Sequence, residues 1–138
     1  MATNKTAFEA PKDRFAYYCA DVINKYEPVV LNSDGVFEPA TSTSLTDSTQ
    51  LAGICQYGSE TVGDMVTVVK GAFPTVAAEA IPAGSLVSVS DKTTTVNGFT
   101  YHSVVASASG AKLADTLVIG TALTAATKEG DLLTVLVK

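Results

Sequence analysis

A strand phrase that begins with Gly-Asp occurs twice in this 138-residue chain. Residues 63–69 read GDMVTVV, and residues 130–136, which lie 67 positions later, read GDLLTVL. A weaker third copy, GSLVSV, covers residues 84–89. In each copy glycine permits a tight turn, Asp or Ser can bond to the turn backbone, and aliphatic residues alternate onto one strand face. Aligned glycines also lie ten residues before the first two copies, at Gly53 and Gly120. We therefore predict two pseudo-equivalent hairpin units that could pair in one closed sheet.

Turn residues divide the remaining chain into short apolar runs. Asp34-Gly35 and Asn97-Gly98 each separate two such runs, and these dipeptides favour hairpins because both residues tolerate positive φ. The apolar residues are mainly Val and Ala, and abundant Thr adds to the β-branched content. The predicted strands are residues 28–31, 36–39, 51–57, 64–70, 72–78, 85–90, 93–96, 99–106, 117–123 and 132–137. The sequence thus predicts an all-β domain, a compact β-barrel or sandwich of about ten short strands.

The N-terminal region differs from this body. Residues 1–13 are polar, contain Pro11 and have Phe8 as an isolated large apolar residue, so we expect an extended arm. Residues 14–27 are rich in aromatic residues, and both a short helix and an alternating strand from Phe15 to Cys19 fit their pattern. We therefore divide the chain into an arm and aromatic segment, residues 1–27, and a barrel-like body, residues 28–138.

Charge and hydropathy exclude several classes of partner. Nine basic and fourteen acidic residues give a net charge of -5, and no stretch gathers Lys and Arg. We expect no nucleic acid and no anionic membrane as partners. The first 12 residues lack the apolar segment of a secretory signal, and no apolar run approaches the about 20 residues of a membrane span. A cytosol-like site of synthesis is expected, unless the protein leaves in a larger particle.

No arrangement of residues predicts catalysis. The single histidine, His102, lies in a predicted strand, and the chain has no Gly-x-Ser-x-Gly motif. Asp64 and Asp131 follow turn glycines, where local backbone bonding explains them better than paired-carboxylate chemistry does. Cys19 and Cys55 match no zinc spacing and are interpreted as buried thiols. Phosphate-binding glycine loops are absent as well. We expect a protein that is not an enzyme and uses no cofactor or metal.

The strand phrases carry a family resemblance. They are YEPVV at 26–30, LAGI at 51–54, GDxVxV at 63–68, GAFP at 71–74, IPAGxLV at 81–87, IGxAL at 119–123 and GDxLxVxV at 130–137. In this rhythm the chain resembles the small decoration proteins of tailed bacteriophages, which are also called cement or head-stabilising proteins. The resemblance implies a β-barrel-like homo-oligomer, commonly a trimer, that binds the major capsid protein. It also implies a place on the outer capsid surface, after synthesis in the host cytoplasm, and a role in clamping neighbouring capsid subunits.

The N-terminal arm is longer than this family pattern. Exposed aromatic residues on such an arm can anchor it to a partner, and the candidate capsid or partner contacts are Phe8, Phe15, Tyr17 and Tyr18. Equally, residues 15–26 could cap the chain's own barrel. The alternative function is a head-fibre or tail-associated adhesin that binds host surface glycans. The absence of Trp and the scarcity of aromatic residues after position 27 count against that alternative.

Overall fold

A computed structural model describes residues 6–138, which form nine β-strands. No α-helix occurs in this part of the chain. The all-β prediction is confirmed. The strands are β1 (Ala10–Tyr18), β2 (Pro28–Leu31), β3 (Phe37–Pro39), β4 (Gln50–Tyr57), β5 (Met65–Val76), β6 (Leu86–Val96), β7 (Phe99–Ala106), β8 (Val118–Ala122) and β9 (Leu132–Val137).

All nine strands belong to one antiparallel sheet, in the order β3-β2-β4-β5-β9-β8-β6-β7, with β1 paired to β5. The long strand β5 is central, since it pairs with β4 near its start, with β9 near its end and with β1 from Met65 to Ala72. Two parallel bridges bring the ends of the sheet back toward its centre. Cys19 after β1 meets Phe37 of β3, and Ala77 after β5 meets Val104 of β7.

These pairings describe two equivalent five-stranded, barrel-like units that share β5. The first unit contains β1 to β4 and the first half of β5, and the second contains the rest of β5 and β6 to β9. The register agrees residue by residue. Matching pairs are Val29–Gly53 with Val87–Gly120, Leu31–Phe37 with Val89–Val104, and Phe15–Val68 with Phe73–Val135. The predicted hairpin equivalence therefore extends to the whole described chain.

The interiors of the two units correspond as well. One buried cluster fills the first unit and contains Cys19, Ile23, Val29, Phe37, Ala52, Cys55, Val66 and Val68. Their equivalents in the second unit are Ala77, Ile81, Val87, Val104, Ile119, Ala122, Leu133 and Val135, and all eight belong to the larger buried cluster. The repeated alternation of aliphatic residues thus builds one small core per unit.

The aligned glycines serve close packing in both units. A Cβ at Gly53 would overlap the carbonyl oxygen of Val69, and a Cβ at Gly120 would overlap that of Leu136. Glycine lets the hairpin backbones cross closely, which no other residue allows without displacement. The same steric constraint therefore explains why both aligned positions are glycine.

Strand boundaries differ from the sequence prediction in two ways. The runs 64–70 and 72–78 form the single strand β5, because Gly71 bends the strand with a φ of +97° instead of ending it. Residues 85–90 and 93–96 likewise join in β6 through a bulge after Val89. The strand β1 joins the end of the predicted arm, residues 10–13, to the start of the aromatic segment, residues 14–18. Of the helix and strand that fit the aromatic segment, its first part therefore forms the strand.

Candidate functional site

The repeated aspartates are turn residues, as predicted. The Asp64 carboxylate accepts hydrogen bonds from the hydroxyl and backbone N–H of Thr61, at 2.7 and 3.3 Å. The Asp131 carboxylate accepts the same two bonds from Thr127, at 2.7 and 3.0 Å. The Thr127 hydroxyl and backbone bonds lower the pKa of Asp131. Because each carboxylate accepts hydrogen bonds within its own turn, the two stabilise separate turns and do not form a joint site.

Glu27 is a buried carboxylate that sequence reasoning missed. It lies before β2 with a side chain only 2% exposed. Its Oε1 accepts the backbone N–H of Asn24, and its Oε2 accepts the backbone N–H of His102, each at 2.7 Å. The Nδ1 of His102 contacts the same Oε2, and this bond raises the pKa of the imidazole against the opposing effect of burial. The pair connects the first unit to β7 of the second.

Nothing in the sequence distinguishes Glu27 from other strand-entry residues, because its partner lies 75 positions away. The sequence places His102 in a predicted strand, and the structure shows it half-buried on β7. The Asn24 side-chain amide adds a hydrogen bond to the carbonyl oxygen of Thr100, at 2.8 Å. These contacts fix the β6–β7 hairpin on the first unit and describe a structural cross-link.

Cys19 and Cys55 are free, buried thiols within the core of the first unit. Burial, helped by the nearby Glu27, raises the pKa of Cys55 to about 12, so this thiol stays protonated and unreactive at neutral pH. Among residues 6–138 no group of three or more His, Cys, Asp or Glu is arranged to hold a metal ion. No helix of the described chain has the length and apolarity to cross a membrane.

The most distinctive surface is an apolar patch at the open end of the first unit. We define the aromatic patch as Phe15, Tyr17, Leu31 and Phe37. The Phe37 ring lies under the other two rings, with centroid distances of 6.2 Å to Phe15 and 5.9 Å to Tyr17. Together with Ala16 and Gly35 these residues line a cavity of about 310 Å³ that contains no charged side chain. Such an uncharged, exposed hollow is typical of a protein-binding surface.

The four predicted contact residues do not form one group. Phe15 and Tyr17 belong to the aromatic patch. Tyr18 ends β1 beside Met65, and its exposed ring lies 5.5 Å from that of Tyr17. Phe8 lies at the second unit, where its backbone N–H and carbonyl both bond to the hydroxyl of Thr134, at 2.7 Å each. Three of the four predicted contact residues therefore lie next to one another on β1, and only Phe8 lies apart from them.

Comparisons with known proteins establish a shared fold. No protein-family model matches the chain, and no curated protein matches its sequence. Among solved structures, the chain is similar to the N base of the head fiber gp8.5 in bacteriophage phi29. The two are 17% identical with a TM-score of 0.59, and the match covers 91% of this chain and 93% of that chain. Since the match spans both barrel-like units, the whole tandem arrangement corresponds to the fold of a bacteriophage head-fibre base.

Proposed function

We propose that this chain is a structural protein of a bacteriophage virion that binds the outer surface of the head. There it stabilises contacts between major capsid subunits. The observation that carries the proposal is the fold shared with the phi29 head-fiber base over 91% of the chain. The strand phrases that resemble decoration proteins support the same location independently.

The surface chemistry agrees with a binding role. The aromatic patch is apolar and free of charge. By contrast, Asp64 and Asp131 bond within their own turns, and the buried Glu27 bonds to His102. A protein that clamps neighbours needs a rigid body and a complementary surface, and two cross-linked barrels supply the rigidity.

The test uses heads purified from a phage strain that lacks the gene for this protein. The purified chain is expected to bind these heads saturably and to raise the temperature at which they release DNA. Release is measured by the fluorescence of a DNA-binding dye during heating. Heads that fail to bind the protein would refute the proposal, and binding without a shift in release temperature would refute its stabilising part.

We further propose that the chain acts as a homo-oligomer, with a trimer favoured, as the decoration-protein resemblance implies. Sedimentation equilibrium is expected to give three times the 14.2 kDa chain mass. A mass of 14.2 kDa across the micromolar range would refute this part alone.

The alternative function is a fibre-associated adhesin for host surface glycans. Tyr57 favours it, because its ring is 59% exposed and available for stacking on a sugar. A glycan-array signal that disappears in Tyr57→Ala, with head binding unchanged, would select this alternative. Tyr101 is less exposed, and Tyr101→Ala serves as the second test position.

A further inference from the structure

The tandem duplication contains an interface between its own two units. Tyr26 of the first unit covers the interior end of the second, with its ring 6.0 Å from that of Phe73. The Thr75 hydroxyl donates a hydrogen bond to the Tyr26 carbonyl oxygen at 2.7 Å. Tyr26 adopts a φ of +77°, close to the +88° of its equivalent Gly84. A non-glycine residue accepts this backbone strain here because its ring completes the core of the neighbouring unit.

The end of the second barrel that Tyr26 covers has an uncovered counterpart in the first barrel. Phe73 and Thr75 are fully buried, and Val89 is 4% exposed. Their equivalents by strand register are Phe15, Tyr17 and Leu31, which are 44%, 44% and 42% exposed. The aromatic patch of the first barrel therefore corresponds to the end of the second barrel that Tyr26 covers, but in the first barrel this end stays uncovered.

We propose that a different protein of the assembled particle covers the aromatic patch with an aliphatic β-sheet face and inserts one large side chain into its cavity. This inference rests on the proposed function and names the docking mode of the same protein. The internal interface shows the required chemistry. Val30, Ile54 and Val69 point outward from the first barrel, yet they belong to the continuous core that includes Phe73.

A second copy of this chain presents only a small part of that chemistry. The equivalents of Val30, Ile54 and Val69 on the second unit are Ser88, Thr121 and Leu136, so two of the three positions are polar. Leu136 alone stays aliphatic and is 50% exposed. The Ser88 hydroxyl bonds to that of Ser107 at 2.6 Å, so a hydrogen-bonded polar pair occupies the position equivalent to Val30. In place of the covering tyrosine stands Gly84, which offers no ring. Head-to-tail stacking of copies would therefore set polar groups against the apolar patch at a desolvation cost.

The experiment measures binding of the intact protein to heads that lack it, by co-sedimentation over a concentration series. Phe15→Ser and Leu31→Ser each remove one exposed wall of the cavity, and they lie on different strands. Phe99→Ser is the matched control, since Phe99 is 59% exposed at the far hairpin. We expect each patch variant to bind about tenfold more weakly or worse, with the control unchanged. Thermal unfolding by circular dichroism verifies that all three variants fold.

The outcomes separate this inference from the proposed function. If the wild type binds but Phe15→Ser and Leu31→Ser bind equally well, the docking mode is wrong and the proposed function stands. Heads that bind no wild-type protein refute both. If either patch variant instead lowers the mass found by sedimentation equilibrium, a second copy occupies the patch and the inference is overturned.

Discussion

Phe15 and Phe73 occupy the same position in the two units, which makes them a matched pair for measuring the effect of covering. Phe73 is fully buried, so Phe73→Ala removes a complete core side chain and leaves an enclosed cavity. Substitutions of this kind cost about 3–5 kcal/mol. Phe15 is 44% exposed, so just over half of its surface is buried, and only that smaller buried area is lost on truncation. Since full burial of such a side chain contributes about 1.5–3 kcal/mol and no closed cavity remains, we expect about 1 kcal/mol for Phe15→Ala.

Urea denaturation followed by far-ultraviolet circular dichroism gives the free energy of unfolding for each variant. The expected difference between the two variants is about 2–4 kcal/mol, with Phe73→Ala the less stable. Phe99→Ala is the control for an exposed phenylalanine and should change stability by less than about 0.5 kcal/mol. Equal losses for Phe15→Ala and Phe73→Ala would refute the reasoning, because the open end of the first unit would then be as well covered as the second.

Three further perturbations test the interior. Glu27 raises the pKa of His102 above the usual histidine pKa of about 6.5. The stabilisation of the fold by this pair is therefore complete below that usual pKa and is lost as the pH rises through the raised pKa. Melting temperature should fall over that interval in the wild type and stay flat in His102→Gln, and equal slopes would contradict this. Gly53→Ala should lower the free energy of unfolding by about 1–3 kcal/mol, because φ is +151° and the Val69 backbone leaves no space for a Cβ. An unchanged urea midpoint would contradict this clash. Thr134→Val removes both hydroxyl bonds to Phe8, at about 0.5–1.5 kcal/mol each, and hydrogen exchange at the Phe8 amide should accelerate. Unchanged exchange would show that this hydroxyl does not hold the arm.

Local patterns were sufficient to find most strands and the repeated hairpins. The Gly-Asp phrase predicted β5 and β9 because the turn chemistry and the alternation are both local. The aligned Gly53 and Gly120 predicted equivalent hairpins, and the structure adds the backbone overlap that requires them. Even the incorrect break at Gly71 followed a sound local rule, since glycine with positive φ commonly ends a strand.

The full duplication was hidden because its spacing changes within the chain. Residues before the β2–β3 turn match positions 58 later, as Val29 matches Val87, whereas residues after it match positions 67 later, as Gly53 matches Gly120. The β6–β7 hairpin is longer than the β2–β3 hairpin and absorbs the difference. Side chains also diverge where the environments differ, so that Tyr26 replaces the equivalent Gly84. The aromatic patch and the Glu27 link depend on this long-range arrangement and have no local signature.

The two ends of the tandem differ in a way that limits how copies can assemble. In repeat architectures, an apolar end invites another unit, whereas a polar end terminates the stack. Here the first unit presents the open aromatic patch, and the outer face of the second carries Ser88, Ser107 and Thr121 beside the exposed Leu136. Because a mainly polar end does not complement the aromatic patch, we expect copies not to extend head to tail into filaments, which a matched pair of ends would allow. A chain with one apolar end can bind a capsid surface through that end without recruiting a further copy at the other. This asymmetry agrees with the proposal that the protein coats a particle surface in a single layer.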